Sequence, residues 1–305
     1  MAVKKNTLAH ILAVVTILIW GTTFISTKVL LKDFTPIEIL FLRFILGYVA
    51  LWIIKPSTLK LNNIKEELMF AAAGICGVTL YFLLENIALT YTFASNVGII
   101  VAVSPIFTAI LAHFLLKGES LSKRIFLGFI IAIIGISLVS FNGSYVLKLN
   151  PIGDILAILA ALVWSLYSIL MKKISFLNYN NIKSTRRVFF YGLIFMLPVL
   201  PFLGFHVSTE ELLNTTNLLN IIYLGLGASA ACFVIWNFVI GVLGAVKTSV
   251  YIYMVPVVTI IFSVLILNES MTFISILGCL LALFGLYISE EKTFIKNKKI
   301  FKNHV

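Results

Sequence analysis

Ten stretches of apolar residues, each about the length of a bilayer-crossing helix, dominate the chain. They run approximately over 8–31, 35–54, 66–88, 93–116, 124–141, 151–172, 182–203, 217–241, 246–267 and 272–289. A helix needs about 20 predominantly apolar residues to cross the hydrocarbon of a membrane. In that medium each backbone N–H and C=O must find its partner within the protein, which leaves only helices and closed barrels. Barrel strands would read as short alternating segments. These runs are continuous, so they predict an all-α membrane protein with ten transmembrane helices. Only 11% of the residues are charged, against about 25% in an ordinary soluble domain, and a water-soluble core is excluded. The first run follows Lys4 and Lys5 as a signal peptide would. It is too long for a signal-peptide apolar region and has no convincing small-residue cleavage site, so it reads as a retained span.

The formal charge of +11 does not point to nucleic acid once the basic residues are placed. If the N-terminus, the even-numbered connections and the C-terminal tail share one side, that side holds nineteen lysines and arginines. The other side holds Lys28, Lys32 and Lys148, and Arg43 alone is left within a span. The positive-inside rule then predicts that both termini are cytoplasmic, in a multi-pass protein of the cytoplasmic membrane. The tail 291–305 is basic and can touch anionic lipid or remain solvated. Cys76, Cys232 and Cys279 all fall in apolar runs without metal-ligand spacing and read as buried small side chains.

The order of residues repeats. Trp20 aligns with Trp164, and Lys28 and Lys172 each follow eight residues later. Arg43 and Arg187 each follow their tryptophan by twenty-three residues. Asn86 pairs with Asn237, Pro105 with Pro256, and Glu119 with Glu269 after a one-residue gap. The fifth and tenth spans share a Gly-x3-Ala-x2-Gly pattern, Gly128–Ala132–Gly135 and Gly278–Ala282–Gly285. The expected units are residues 1–147 and 148–290, followed by the tail. Five spans per copy is an odd number, so the second copy must enter the membrane upside down. Two inverted five-helix repeats are a transporter device, with substrate bound near the midplane between them.

These same pieces carry a resemblance. "IWGTTFISTK", "FLRF", "YTFAS", the mid-helix prolines, "GESL" and "NESMT", and the spaced glycines together resemble the EamA-type drug/metabolite transporters over residues 8–289. The resemblance implies a ten-helix carrier, often an exporter, for amino acids or other small metabolites. It implies no cofactor and leaves the substrate open. A coupling proton and a homodimer also stay open.

Catalytic patterns are missing from the sequence: there is no His-Glu-x-x-His, no Gly-x-Ser-x-Gly and no Walker loop. The expectation is a non-enzyme with no metal site. Candidate cavity residues are instead aromatic, amide and hydroxyl side chains at helical spacing. They are Trp20 and Thr23 on the first span, Tyr81, Glu85 and Asn86 on the third, and Asn96 on the fourth. Trp164 and Tyr167 on the sixth, Trp236 and Asn237 on the eighth, and Tyr251 and Tyr253 on the ninth complete the set. Pro105 and Pro256 deprive carbonyls of partners and predict kinks at which gating helices bend. Arg43 is placed to snorkel. Grouped with Arg187, Lys28 and Lys172, it would instead suit an anion. Glu85 admits two readings, a carboxylate anchored by a neighbour such as Arg43, or a group that meets a substrate ammonium or a coupling proton. The reading is a secondary carrier for a small polar metabolite, an amino acid or amine. The rivals are a carrier for anionic or phosphorylated metabolites, and a membrane enzyme or lipid-handling protein.

Overall fold

A computed structural model describes residues 2–91, 94–116, 123–141, 150–267 and 272–290. The described residues are helical with no strand. The helices are α1 (Ala2–Leu30), α2 (Pro36–Ile54), α3 (Ile64–Tyr91), α4 (Ala94–Val101), α5 (Ser104–Leu115) and α6 (Lys123–Phe141). The second half has α7 (Pro151–Ser175), α8 (Asn181–Met196), α9 (Thr215–Leu243), α10 (Ala245–Val250), α11 (Val255–Leu267) and α12 (Phe273–Glu290). Counted as spans, α4 with α5 and α10 with α11 each make one, giving the ten expected of this membrane protein. Five helices (α1, α2, α3, α7 and α9) are long and apolar enough to cross on their own. Glu119 and Glu269 lie outside the described residues.

Helix starts follow local chemistry. Thr35 and Glu38 form a reciprocal capping box at α2, with Pro36 in the first turn. The Asn63, Asn150, Asn180 and Asn214 side chains cap α3, α7, α8 and α9 by accepting backbone N–H groups. Asn214, which fits a glycosylation pattern in sequence, thus serves as a cap. Gly244 closes α9 with φ 94°, a conformation that suits glycine.

The two halves pack on each other in exchanged pairs. α1 lies against α9 and α11, while α7 lies against α3 and α5. α2 meets α9, and α8 meets α3. α6 and α12, the equivalent last helices, form the most extensive contact of all. There the spaced glycines fulfil a packing role. A Cβ on Gly135 would sit 2.4 Å from the Ala282 nitrogen, and one on Gly285 would sit 2.6 Å from the Ala132 nitrogen. Small residues let the two backbones touch, as in other membrane helix pairs.

Inversion can be read from side chains at the ends of α9. Beyond the end of α1, Asp33 accepts a 2.8 Å hydrogen bond from Asn217, near the start of α9. At the end of α7, Lys172 donates to the Gly241 carbonyl at 3.1 Å, near the end of α9. α9 has 29 residues and is about 43 Å long at the helical rise. Equivalent helices α1 and α7 therefore finish at opposite ends of the bundle.

Two further irregularities recur. α3 contains a π-helical segment, Ile75–Leu80, and α9 contains another, Tyr223–Ala231. Each segment ends six residues before its aligned asparagine, Asn86 or Asn237. The fourth and ninth spans are also interrupted. α4 ends at Val101 and α5 begins at Ser104, while a 3-10 turn, Tyr251–Met254, separates α10 from α11. This corrects the expectation for Pro105, which does not kink a continuous helix but stands in the first turn of α5, where a missing N–H costs little. Pro256 lies just after the 3-10 turn, within the helical run Ala245–Thr259.

Candidate functional site

Three of these irregularities, the π segment of α3 and the two interruptions, border one cavity. Tyr81, Phe82 and Glu85 enter it from α3, just after the π segment. Val101 closes it from the end of α4, and Ile252 and Val255 close it from the second interruption. α1 gives Trp20, Thr23 and Phe24, α2 gives Arg43 and α7 gives Trp164. Both halves of the repeat thus contribute. The cavity volume is about 40 Å³, room for about three waters. In this conformation the walls are drawn together too closely for a metabolite.

The walls are mainly aromatic. Trp20 meets Trp164 edge-on at 5.4 Å between centroids and Trp236 at 4.9 Å. Trp164 continues to Tyr81 at 4.8 Å and Tyr167 at 5.0 Å. Phe233 joins this set to Phe44 and Phe189 at 5.7 and 5.3 Å. Such ring pairs add to burial and fix each other's orientation. Trp20 gives its indole N–H to the Ala228 carbonyl at 3.0 Å. The Trp164 indole nitrogen is buried with no hydrogen-bond partner. Native buried donors are nearly always paired; this one belongs to a ring that lines the cavity, and the buried Trp236 indole nitrogen is unpaired too.

Two opposite charges share the space. Arg43 is only 2% exposed, which corrects the expectation that it snorkels to the surface. Its Nε–H donates to Ser229 Oγ at 2.9 Å, and its guanidinium carbon stands 4.3 Å from the Phe82 ring centroid. Glu85, also buried, accepts the Tyr81 hydroxyl at 3.1 Å. The two charges are not bonded to each other. Held by separate partners, the guanidinium and the carboxyl group both border the same small volume.

The other bases grouped with Arg43 from sequence, Lys28, Lys172 and Arg187, are not among the residues that line this cavity. Lys28 donates to the Leu89 carbonyl at 2.6 Å, and Lys172 donates to the Ile240 and Gly241 carbonyls. Leu89 and Ile240 are equivalent positions in the two copies, near the ends of α3 and α9, where a cation suits the helix dipole. Arg187 is paired with Glu67. His113 lies on the last turn of α5 against Phe114, away from the cavity walls.

Of the residues singled out from sequence, Trp20, Thr23, Tyr81, Glu85 and Trp164 line the cavity. Trp236 packs behind Trp20 with its ring tilted by 54°. Tyr167 donates to Asn237 at 2.7 Å, and Asn237 donates to Thr185 at 3.0 Å, a buried chain joining α7, α9 and α8. Asn86 donates to the Pro36 carbonyl at 3.1 Å. Tyr251 meets His10 at 2.5 Å. Tyr253 packs in a smaller core with α6 and α12. The side chain of Asn96 lies outside the described residues. The cavity residues missing from the sequence set are Arg43, Phe24, Phe82, Val101, Ile252 and Val255. Arg43 carried a signal, being the one basic residue assigned to neither side of the membrane in the charge count. The apolar residues carried none.

Comparison with known proteins matches a family described as the EamA-like transporter family to residues 7–141 and again to 151–290. An "uncharacterized transporter" of Archaeoglobus fulgidus is 29% identical over 94% of this chain and 99% of its own length. A "probable terminal-alkyne amino-acid exporter" of Streptantibioticus cattleyicolor is 25% identical over 98% of both chains. A "probable amino-acid metabolite efflux pump" of Escherichia coli is 24% identical over 92% of this chain and 93% of its own. A solved crystal structure matches with TM-score 0.75 at 17% identity, covering 93% of this chain and 96% of that one, which shows a shared fold.

Proposed function

This chain belongs to the EamA-like transporter family, and from that premise we propose that it carries zwitterionic amino acids across the cytoplasmic membrane by alternating access. The observation that carries the reading is the pairing of Arg43 and Glu85 on one aromatic-walled cavity without a bond between them. An α-carboxylate suits Arg43, because guanidinium and carboxylate match in geometry. An α-ammonium suits Glu85, and the faces of Tyr81 and Trp164 add cation–π attraction. The Trp164 N–H serves as a further donor. The exporter and efflux names of two relatives favour outward transport. A carrier for purely anionic metabolites is less well supported, because the cavity holds a carboxyl group and Lys28, Lys172 and Arg187 do not line it.

The small volume calls for movement. A cavity with room for about three waters must widen toward one face to admit substrate. The interruptions beside Val101 and Val255 are the places in the fourth and ninth spans where helices can swing without breaking regular hydrogen bonds. Pro105 and Pro256 start the moving segments in this scheme.

Counterflow in proteoliposomes tests the reading. Vesicles loaded with unlabelled amino acid should take up the labelled compound. The matching amine without a carboxylate and the matching acid without an amine should both compete poorly. Equal competition by either analogue would overturn the two-ended site, and exchange of phosphorylated metabolites alone would move the protein to the anion class.

A further inference from the structure

A second cavity, of about 220 Å³, lies between α2 and α8 at the end of the bundle where α7 finishes. Tyr48, Trp52 and Phe190 form its apolar walls, and Lys183, Arg186 and Arg187 stand around it. Arg187 is neutralised by Glu67. The other two cations are not. Arg186 is 4% exposed. It donates to the Lys55 carbonyl at 2.6 Å and to the Ser57 carbonyl, and its guanidinium lies 3.9 Å from the Trp52 ring centroid. Lys183 donates to the Thr58 carbonyl at 3.3 Å. All of these partners are neutral, and neither cation has a carboxylate partner among the described residues.

Carbonyl groups can orient a cation but do not cancel its charge. Arginine has five N–H groups and lysine three, so both residues keep donors beyond those used here. We propose that this cavity binds the phosphate group of an anionic phospholipid from the adjoining leaflet. Arginine and lysine both suit phosphate. Trp52 and Tyr48 are the residue types that occupy the membrane–water boundary, and with Phe190 they would cover the glycerol and the first methylenes of the chains. A free phosphate shares the headgroup chemistry but has no use for these walls. By the positive-inside reading this is the cytoplasmic end, where basic pockets between helices meet anionic headgroups. The bound phosphate would tie the connection after α2, in the first half, to α8 in the second.

The test uses the full chain purified in detergent and titrated with short-chain phosphatidylglycerol, with melting temperature as the readout. A saturable rise is expected. Lys183→Gln should shift its midpoint about fivefold, the effect of one lysine near an anionic lipid surface, and the charge-reversing Lys183→Glu should abolish it. Lys65→Gln, an exposed lysine at the same end, should leave the titration unchanged. Short-chain phosphatidylcholine and inorganic phosphate should give no saturable rise at matched concentrations. An unaltered midpoint in both Lys183 variants overturns the site. Phosphatidylcholine matching phosphatidylglycerol overturns the anion requirement, and inorganic phosphate reproducing the response overturns the lipid as its source.

Discussion

Glu85 is the side chain on which the transport reading turns. A carboxylate at a helix centre costs about 2.5–3.5 kcal/mol on an insertion scale, less near a helix end, where Glu85 stands six residues from Tyr91, and leucines at about −0.5 kcal/mol each offset that. The chain can therefore insert without pairing the charge, and the structure gives Glu85 a neutral partner, Tyr81, rather than Arg43. Glu85→Gln keeps the shape and the hydrogen bond. It should leave folding intact and weaken uptake of amine-bearing substrates by about tenfold or more, since hydrogen bonds to charged groups contribute about 1.5–3 kcal/mol. A folded variant with unchanged rates and pH profile would make Glu85 a structural anchor. Trp164→Phe separates the indole N–H from the ring. Transport should fall while the melting temperature holds, and equal transport would assign Trp164 to packing. The mid-span aromatics were legible in the sequence because such depth fits an interfacial belt poorly. Asn86 and Asn237 were not separable from them. A buried amide that binds backbone or another side chain looks in sequence like one that awaits a ligand.

Among the helices, the number and placement of spans were legible because length and hydropathy set them directly. The interruptions were visible only as prolines, and the two π segments had no signal at all. Apolar helices buried on several sides carry no clear periodicity, so a one-residue change in hydrogen-bond register leaves no trace in their pattern. The glycine faces of α6 and α12 were legible as contact surfaces, although their mutual pairing was not. Gly135→Val should prevent that contact, because its Cβ meets backbone on the opposite helix at 2.4 Å. A loss of about 1–3 kcal/mol or more is expected, read as a lower melting temperature or lost expression. Gly98→Ala has nothing within 4 Å of the new Cβ. It should leave stability the same or raise it by up to about 1 kcal/mol through helix propensity. Equal behaviour of the two variants would show that the glycine contact contributes nothing.

For the whole molecule, the inverted arrangement places the connection after α2 and the segment before α9 at opposite ends. Single cysteines at Lys60 and Ser208 should therefore label from opposite sides of the membrane, with Lys60 on the cytoplasmic side in intact cells. Labelling from one side would contradict the arrangement. The exchanged packing also sets a timetable for synthesis. Arg43 and the Ser229 hydroxyl it binds are 186 residues apart. At about 5–20 residues per second of translation, roughly 10–40 s pass before the ribosome supplies that partner. A half-made chain must wait in the bilayer with its arginine held only by first-half neighbours such as Phe82. For that interval its survival depends on how slowly quality-control proteases act, a hazard that the finished carrier no longer faces.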